Sequence, residues 1–376
     1  MLIGTKVLDM SRVLAGPLCT MMLADLGADV IKVERPGTGD ETRGWGPPFD
    51  PRGQSAYYLS VNRNKKSVAA DLDTEANRNL ILALAAEADV VVDNFRRGTL
   101  ERRGIVPEEL LRQHPDLVWC TITGFGAKSD RAGYDLVVQA ESGWMAITGE
   151  PRSDPMRVGV ALADIIAGKD AAIAILAALA SRSVRGSGAL SPAARRIHIS
   201  LAHSATAALI NVAQNSLVTG QDAKRWGNQH PNLVPYQLFH SADRPMIIAV
   251  GTDAQWAACV DVLGLDDLTG DATLMTNAGR LGARRRIIDA IEERLLERNA
   301  REWISLLDSR GVPCGVVNTV IEALSAVDAS PLTGIAPSVP GSVRLPPPML
   351  DEHGTAIRRD GWRAFAPTDN GERSVG

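Results

Sequence analysis

The amino-acid sequence predicts an α/β fold: a mostly parallel sheet covered by helices on both faces. Two observations carry that prediction, the βαβ unit that opens the chain and the continued alternation of strand-like and helix-like stretches behind it. Val7 to Met10 is a short apolar run, and Ser11 reads as the N-cap of a helix whose apolar residues recur at three- and four-residue steps through Leu26. Gly27 closes that helix, and Val30 to Val33 reads as a second buried strand. Glu34, Arg35 and the Gly37-Thr38-Gly39-Asp40 loop therefore fall at a strand's carboxyl end, where open α/β sheets bind ligands.

Further units follow. Ser67 to Leu72 reads as a strand, Thr74 to Ala88 as a helix, and Asp89 to Asn94 as a strand that runs into the polar loop Asn94 to Gly98. Leu117 to Thr123 is rich in β-formers and ends at Gly124-Phe125-Gly126. Ser181 to Ala194, rich in Ser, Gly, Arg and Pro, reads as a surface loop before the strand Arg196 to Leu201. A helix comes next, then a linker over Trp226 to Tyr236 with its two prolines. A second α/β segment contains the strand Met246 to Gly251 and helices around Ala254 to Leu263 and Ala283 to Leu296. Pro331 to Pro348 is proline-rich and leads to a polar tail. The expected division is 1–200 for a large ligand-binding domain, 201–236 for helix and linker, 237–325 for a small domain, and 326–376 for a linker and returning segment.

A chain of 376 residues suits two domains better than one. Its formal net charge of −4, with no basic tract interleaved with aromatics, argues against a nucleic-acid partner. Ala171 to Ala180 is the most apolar run and is too short to span a bilayer, and Met1 to Lys6 lacks a signal-peptide core, so a cytoplasmic location and no membrane partner are expected. The four cysteines contain no CxxC pair, and the six histidines no HxxxH or HExxH, so no metal site is expected. No GxGxxG follows a strand, and Gly168-Lys169 lacks the Ser/Thr and the upstream glycine of a phosphate loop; neither NAD nor ATP is indicated.

Five blocks stand in a characteristic order: Leu14-Ala15-Gly16-Pro17; Leu23 to Trp45; Asn62 to Ser67; Asn94 to Gly98; and Gly159 to Ile165. In these the chain resembles the class III CoA-transferases, a group that includes formyl-CoA transferase and carnitine CoA-transferases and has α-methylacyl-CoA racemase as a sister. The resemblance runs from the N-terminus to about residue 325. It implies a Rossmann-like large domain built from both chain ends, a small inserted α/β domain, and two ring-like subunits interlocked as a homodimer. One departure is the C-terminus, where Leu350-Asp351-Glu352-His353 leads to a polar tail instead of a continuing helix, so the last twenty or so residues are expected to be disordered.

The same resemblance assigns site residues. Asp164 matches the catalytic aspartate that attacks an acyl-CoA thioester and becomes an acyl-aspartyl anhydride; at an ordinary carboxylate pKa it is ionised at neutral pH and needs no base. Taken alone it would read as the N-cap of a helix over Ile165 to Ala180. Arg35 and Arg102 are the expected phosphate contacts of coenzyme A, since guanidinium forks match phosphate oxygens. Trp45 and Tyr57 are expected to border the acyl and pantetheine channel, Asn94 to offer it an amide, and Leu14 and Tyr134 to belong to the same coenzyme-binding set. No permanently bound cofactor is implied; the coenzyme A thioester and a small carboxylic acid are the substrates.

Two other readings compete. A racemase needs a histidine in a Gly-His-Asp block, but here the block is Gly133-Tyr134-Asp135, and a phenol with a reference pKa of about 10 is poorly matched to proton removal at neutral pH. A non-catalytic CoA-ester-binding protein would have no reason to keep Asp164 beside both arginines. Leu14 in place of formyl-CoA transferase's glutamine, and the lack of its glycine run between Trp226 and Met246, point away from formate and oxalate, while common practice in the resembled family implies a small dicarboxylic thioester such as succinyl-CoA as donor. Arg43 and Arg157 are the candidates for holding a distal carboxylate.

Overall fold

The computed structural model describes residues 1–184 and 190–366. Six strands, β1 (Lys6–Asp9), β2 (Asp29–Glu34), β3 (Lys65–Ala69), β4 (Val90–Asp93), β5 (Val118–Thr123) and β6 (Arg196–Ser200), form one parallel sheet in the order β3-β2-β1-β4-β5-β6. The order reverses between β1 and β4, and the crevice at the carboxyl ends of those strands is the place a doubly wound sheet offers a ligand.

Strand residues alternate between two cores, so both faces of each central strand are buried, and the runs of β1 and β2 are interrupted by the buried charges of Asp9 and Lys32. Val7, Val30, Val90, Val92 and Cys120 pack with α1 (Ala15–Asp25). The other face, with Leu8, Ile31, Val68, Val91 and Trp119, packs with α2 (Glu75–Ala86) and α3 (Pro107–Gln113). Back on the first face, α4 (Asp135–Glu141), α5 (Leu162–Val184) and α6 (Leu201–Ala207) complete the layer through Val138, Ala163, Ala167 and Leu201. α7 (Ile210–Thr219) follows, with Leu217 78% and Val218 76% exposed.

The chain divides into two compact units. The first comprises Met1–Trp144, Arg157–Val218 and Val327–Gly376; the second comprises Met145–Met156 and Thr219–Ala326. The second unit has an antiparallel sheet of β7 (Tyr236–His240), β8 (Pro245–Ala249) and β9 (Cys314–Val316), packed with α8 (Asp253–Leu263), α9 (Arg284–Leu295) and α10 (Ala300–Asp308). Its Met145–Met156 segment, which the sequence reading left inside the large domain, is tied in by Gly227 donating to the Gly149 carbonyl at 3.1 Å and Arg225 to Ser153 at 2.9 Å.

Three expectations are corrected. Ser11 does not cap α1: its N–H and hydroxyl donate to buried Asp9, and α1 begins at Ala15 with Leu14 as a cap that makes no side-chain bond. Gly16 is needed for that arrangement, because a Cβ there would lie 2.3 Å from the Ser11 side chain. Ser181 to Ala194 is not all loop, since α5 continues to Val184 and a short helix spans Pro192–Arg195; 185–189 lie outside the described residues. Nor is the whole end of the chain disordered: a helix over Gly354–Asp360 and a turn over Gly361–Phe365 bury Ile357 and Trp362, while 367–376 lie outside the described residues.

The returning chain closes the open edge of the sheet at β3. The Ala69 N–H donates to Asp351 at 2.7 Å, Arg358 donates to the Ala69 carbonyl at 2.7 Å, and the His353 N–H donates to the Ser67 carbonyl at 3.1 Å. No helix of the described residues is long and apolar enough to cross a membrane.

Candidate active site

Asp164 is the third residue of α5. The cap that sequence reasoning would have given it belongs to Asp135, whose Oδ1 accepts from the Ala163 N–H at 2.8 Å and from the Asp164 N–H at 3.4 Å. Oδ2 of Asp135 accepts from Gln139 at 2.7 Å, and Gln139 in turn holds the backbone of Val158 and Val160. The carboxylate of Asp164 itself accepts no hydrogen bond among the described residues. One turn on, a Cβ at Gly168 would lie 2.6 Å from the Ala15 carbonyl, so the absence of a side chain lets α5 approach the start of α1 and brings Asp164 toward Leu14.

Burial, with the Asp135 charge added, pushes the Asp164 carboxyl up to about 7. That corrects the expectation of a fully ionised aspartate at neutral pH: the group titrates there, because its surroundings remove water and supply no cation or donor. Tyr57 is its neighbour electrostatically; burial, then Asp164 and Asp135, push that phenol up to about 12. The Trp45 ring meets Tyr57 edge-on at 5.1 Å and is 42% exposed, and Tyr134, beside Asp135, is 63% exposed.

A cavity of about 400 Å³ opens at the carboxyl ends of β1, β2 and β3, lined by Arg12, Lys32, Arg35, Phe95 and Arg103 among others. Arg35 is exposed at its rim. Arg102 does not line it; that guanidinium contacts Thr99 at 3.3 Å, and the adjacent Arg103, paired with Asp73 at 2.8 Å, faces the cavity. Asn94 spends both ends of its amide on one residue, accepting from the Arg12 N–H at 3.0 Å and donating to the Arg12 carbonyl at 2.7 Å. It therefore latches the β1 loop to the β4 loop. Arg12 and Leu14, two residues apart, connect the cavity to the neighbourhood of Asp164.

Arg43 is not free to hold a distal carboxylate. It forks onto buried Glu34 at 2.8 and 2.7 Å, donates to Tyr58 at 2.6 Å, and lies over the Tyr58 ring at 3.8 Å. Arg157 is exposed and has no ion pair or hydrogen bond among the described residues.

Beneath the cavity lies a buried charge network that the sequence did not announce. Lys65 donates to Asp9 at 3.0 Å, to the Pro17 carbonyl at 2.8 Å and to Asn62 at 3.0 Å; Lys32 donates to Asp40 and to the Ser11 carbonyl, both at 3.0 Å. Asp40 also accepts from the Val13 N–H at 3.2 Å, where the backbone is left-handed with φ 72°. The pairs fix the loops after β1 and β2 against each other. Among the described residues no group of three or more His, Cys, Asp or Glu is placed to hold a metal ion.

Comparison with known proteins agrees with the geometry. A family model described as CoA-transferase family III matches residues 2–334. Succinyl-CoA:glutarate CoA-transferase of Homo sapiens is 39% identical over 95% of this chain and 85% of its own length. Succinate–glutarate CoA-transferase of Agrobacterium fabrum is 38% identical over 93% of each. The crystal structure of a CAIB/BAIF family protein from Brucella suis superposes with a TM-score of 0.82 at 39% identity, covering 95% of this chain and 98% of that one. The chain thus belongs to CoA-transferase family III and is an enzyme with CoA-transferase activity.

Proposed function

We propose that the protein moves coenzyme A from a dicarboxylic acyl-CoA to a second small carboxylic acid, with Asp164 as the nucleophile. The observation that carries this reading is the bare carboxylate of Asp164, held by a helix whose capping is done by Asp135. An aspartate kept for structure would be paired; this one is left reactive. Its carboxylate attacks the thioester carbonyl, the C–S bond breaks, and coenzyme A leaves as a thiolate while the acyl group becomes an anhydride on Asp164. For coenzyme A to end on the acceptor, the thiolate then attacks the Asp164 carbonyl and expels the donor acid. The acceptor carboxylate attacks that Asp164 thioester and expels the thiolate, which leaves the acceptor as an anhydride on Asp164; the thiolate finally attacks the acceptor's acyl carbon and releases the Asp164 carboxylate. Apolar walls limit the competing attack by water.

The 400 Å³ cavity is the proposed seat of the coenzyme's phosphate-bearing end, with Arg35 at its rim. Tyr57, Trp45 and Leu14 border the path to Asp164, and Tyr134 faces solvent beside it, placed to meet a substrate. The dicarboxylic preference is supported by relatives named for succinyl-CoA and glutarate, and Arg157, unpaired among the described residues, is a candidate to hold a distal carboxylate. A homodimer is part of the same reading, because the apolar face of α7 needs cover. Sedimentation at nanomolar concentration should give a dimer; monomers would contradict it.

The test of the mechanism is hydroxylamine trapping during turnover of succinyl-CoA, read by peptide mass spectrometry. Modification of Asp164 alone is expected. Turnover with no label on Asp164, or a label elsewhere, would refute the assignment. A panel of CoA thioesters and acids identifies the pair; formyl-CoA with oxalate reacting as fast as the best succinyl-CoA pair would remove the dicarboxylate assignment.

A further inference from the structure

Arg12 was not singled out by any motif, yet its surroundings are unusual for an arginine at the rim of a cavity. Its backbone is immobilised at both ends by the Asn94 amide, at 3.0 and 2.7 Å. Its guanidinium carbon lies 5.5 Å from the centre of the Phe95 ring. Among the described residues only Nη1 has a partner, the carboxylate of Glu41, whose side chain is 41% exposed. Nε is covered by surrounding atoms and has no acceptor. A covered donor without an acceptor is costly, and an ion pair with an exposed carboxylate returns little. This arm is thus anchored at the backbone, aimed along the cavity wall, and poorly satisfied at the tip.

We infer that Arg12 is a phosphate contact for the coenzyme, exchanging Glu41 for a phosphate when the CoA ester enters the cavity. The inference rests on the reading of that cavity as the coenzyme's site. A phosphate suits this guanidinium better than Glu41 does: it carries more charge, presents several acceptor oxygens, and can engage both terminal nitrogens. The same cavity is lined by Lys32, Arg35 and Arg103 and by the carboxylates of Glu34, Asp40, Asp71 and Asp73; Lys32 is spent on Asp40, Arg103 on Asp73 and Glu34 on Arg43, which leaves Arg35 as the cation beside Arg12 to draw an anion. Phe95 supplies a flat support that keeps the guanidinium in plane while its partner changes.

The experiment is titration calorimetry of the full-length enzyme with coenzyme A and with pantetheine, which has no phosphate. Arg12→Ala should weaken coenzyme A binding by about 10- to 100-fold, the scale of a lost charged hydrogen bond, and leave pantetheine unchanged. Arg12→Lys should recover only part of the loss, because an ammonium keeps the charge without the fork. Glu41→Gln should bind coenzyme A at least as tightly as the wild type, since it removes a competitor. Coenzyme A binding within twofold of wild type in Arg12→Ala would overturn the inference, as would an equal loss for pantetheine, or a Glu41→Gln variant as weak as Arg12→Ala. Arg35→Ala separates the two levels: if it weakens binding while Arg12→Ala does not, only the Arg12 assignment fails, and if neither does, the cavity is not the coenzyme's site.

Discussion

Asp9 and Asp164 are two aspartates in the same unit, both withdrawn from water, and they have opposite fates. Burial opposes the charge of Asp9, yet Lys65 and Lys32, with the hydroxyls of Ser11 and Thr20, hold its carboxyl down to about 2. Asp164 meets burial and a like charge from Asp135 with nothing to offset them, and rises to about 7. Burial alone therefore does not separate a structural carboxylate from a reactive one. The partners do: Asp9 is charged in order to be bound within the protein, whereas Asp164 is left for a substrate to satisfy.

The comparison breaks first at Asp164. Asp164→Ala should lower kcat by about 10⁴-fold or more, the scale of losing a nucleophile, while CoA-ester binding by calorimetry changes little. Unchanged turnover would place the chemistry elsewhere. Asp9→Asn should do the reverse, costing about 3–5 kcal/mol in urea unfolding because Lys65 loses its buried counter-ion. A smaller loss would mean that the network relaxes around the gap.

The pH dependence sharpens the contrast. The acid limb of kcat/KM should follow deprotonation of Asp164 near pH 7, and Asp135→Asn, which keeps an acceptor oxygen for the Ala163 and Asp164 N–H groups but removes the charge and the acceptor of Gln139, should move that limb down by roughly one unit. An unmoved limb would assign the titration to another group. Smallest is the stability effect. Folding raises the Asp164 pKa, so its ionisation costs nothing below the unfolded value of 3.8 and opposes the fold fully above about 7. Asp164→Asn should thus stabilise the protein by about 1–2 kcal/mol at pH 8, and not at pH 4. An equal gain at both pH values would trace the effect to packing.

Central strands were legible in the sequence because both their faces are buried: β4 is an unbroken apolar run up to Asp93, and in β1 and β2 the runs are interrupted only by the buried charges Asp9 and Lys32. Asp164 was legible only through the resemblance; by pattern alone it was a cap, and nothing local reveals that Asp135, 29 residues earlier, has taken that role. The same limit misread Ser11 and Arg43. Each is polar, near a loop, and plausible as a free group, but its partner is fixed by the closure of a turn: Asp9 for Ser11, and Glu34 for Arg43. Arg102 and Arg103 differ by one position in a 3₁₀ turn, and a rotation of that turn decides which one lines the cavity.

The chain end that returns to β3 has a meaning for how the protein survives in a crowded solution. A parallel sheet of this length exposes a row of unpaired amides at its edge, a template on which another chain can build. Asp351, His353 and Arg358 occupy that row with side chains and single backbone bonds, none of which can be extended by a further strand. A chain shortened to end at residue 348 would keep every residue assigned to the reaction and still expose this edge. It should accumulate as particles in light scattering on warming, at temperatures where the intact chain stays dispersed, so the returning segment protects the enzyme from its own copies.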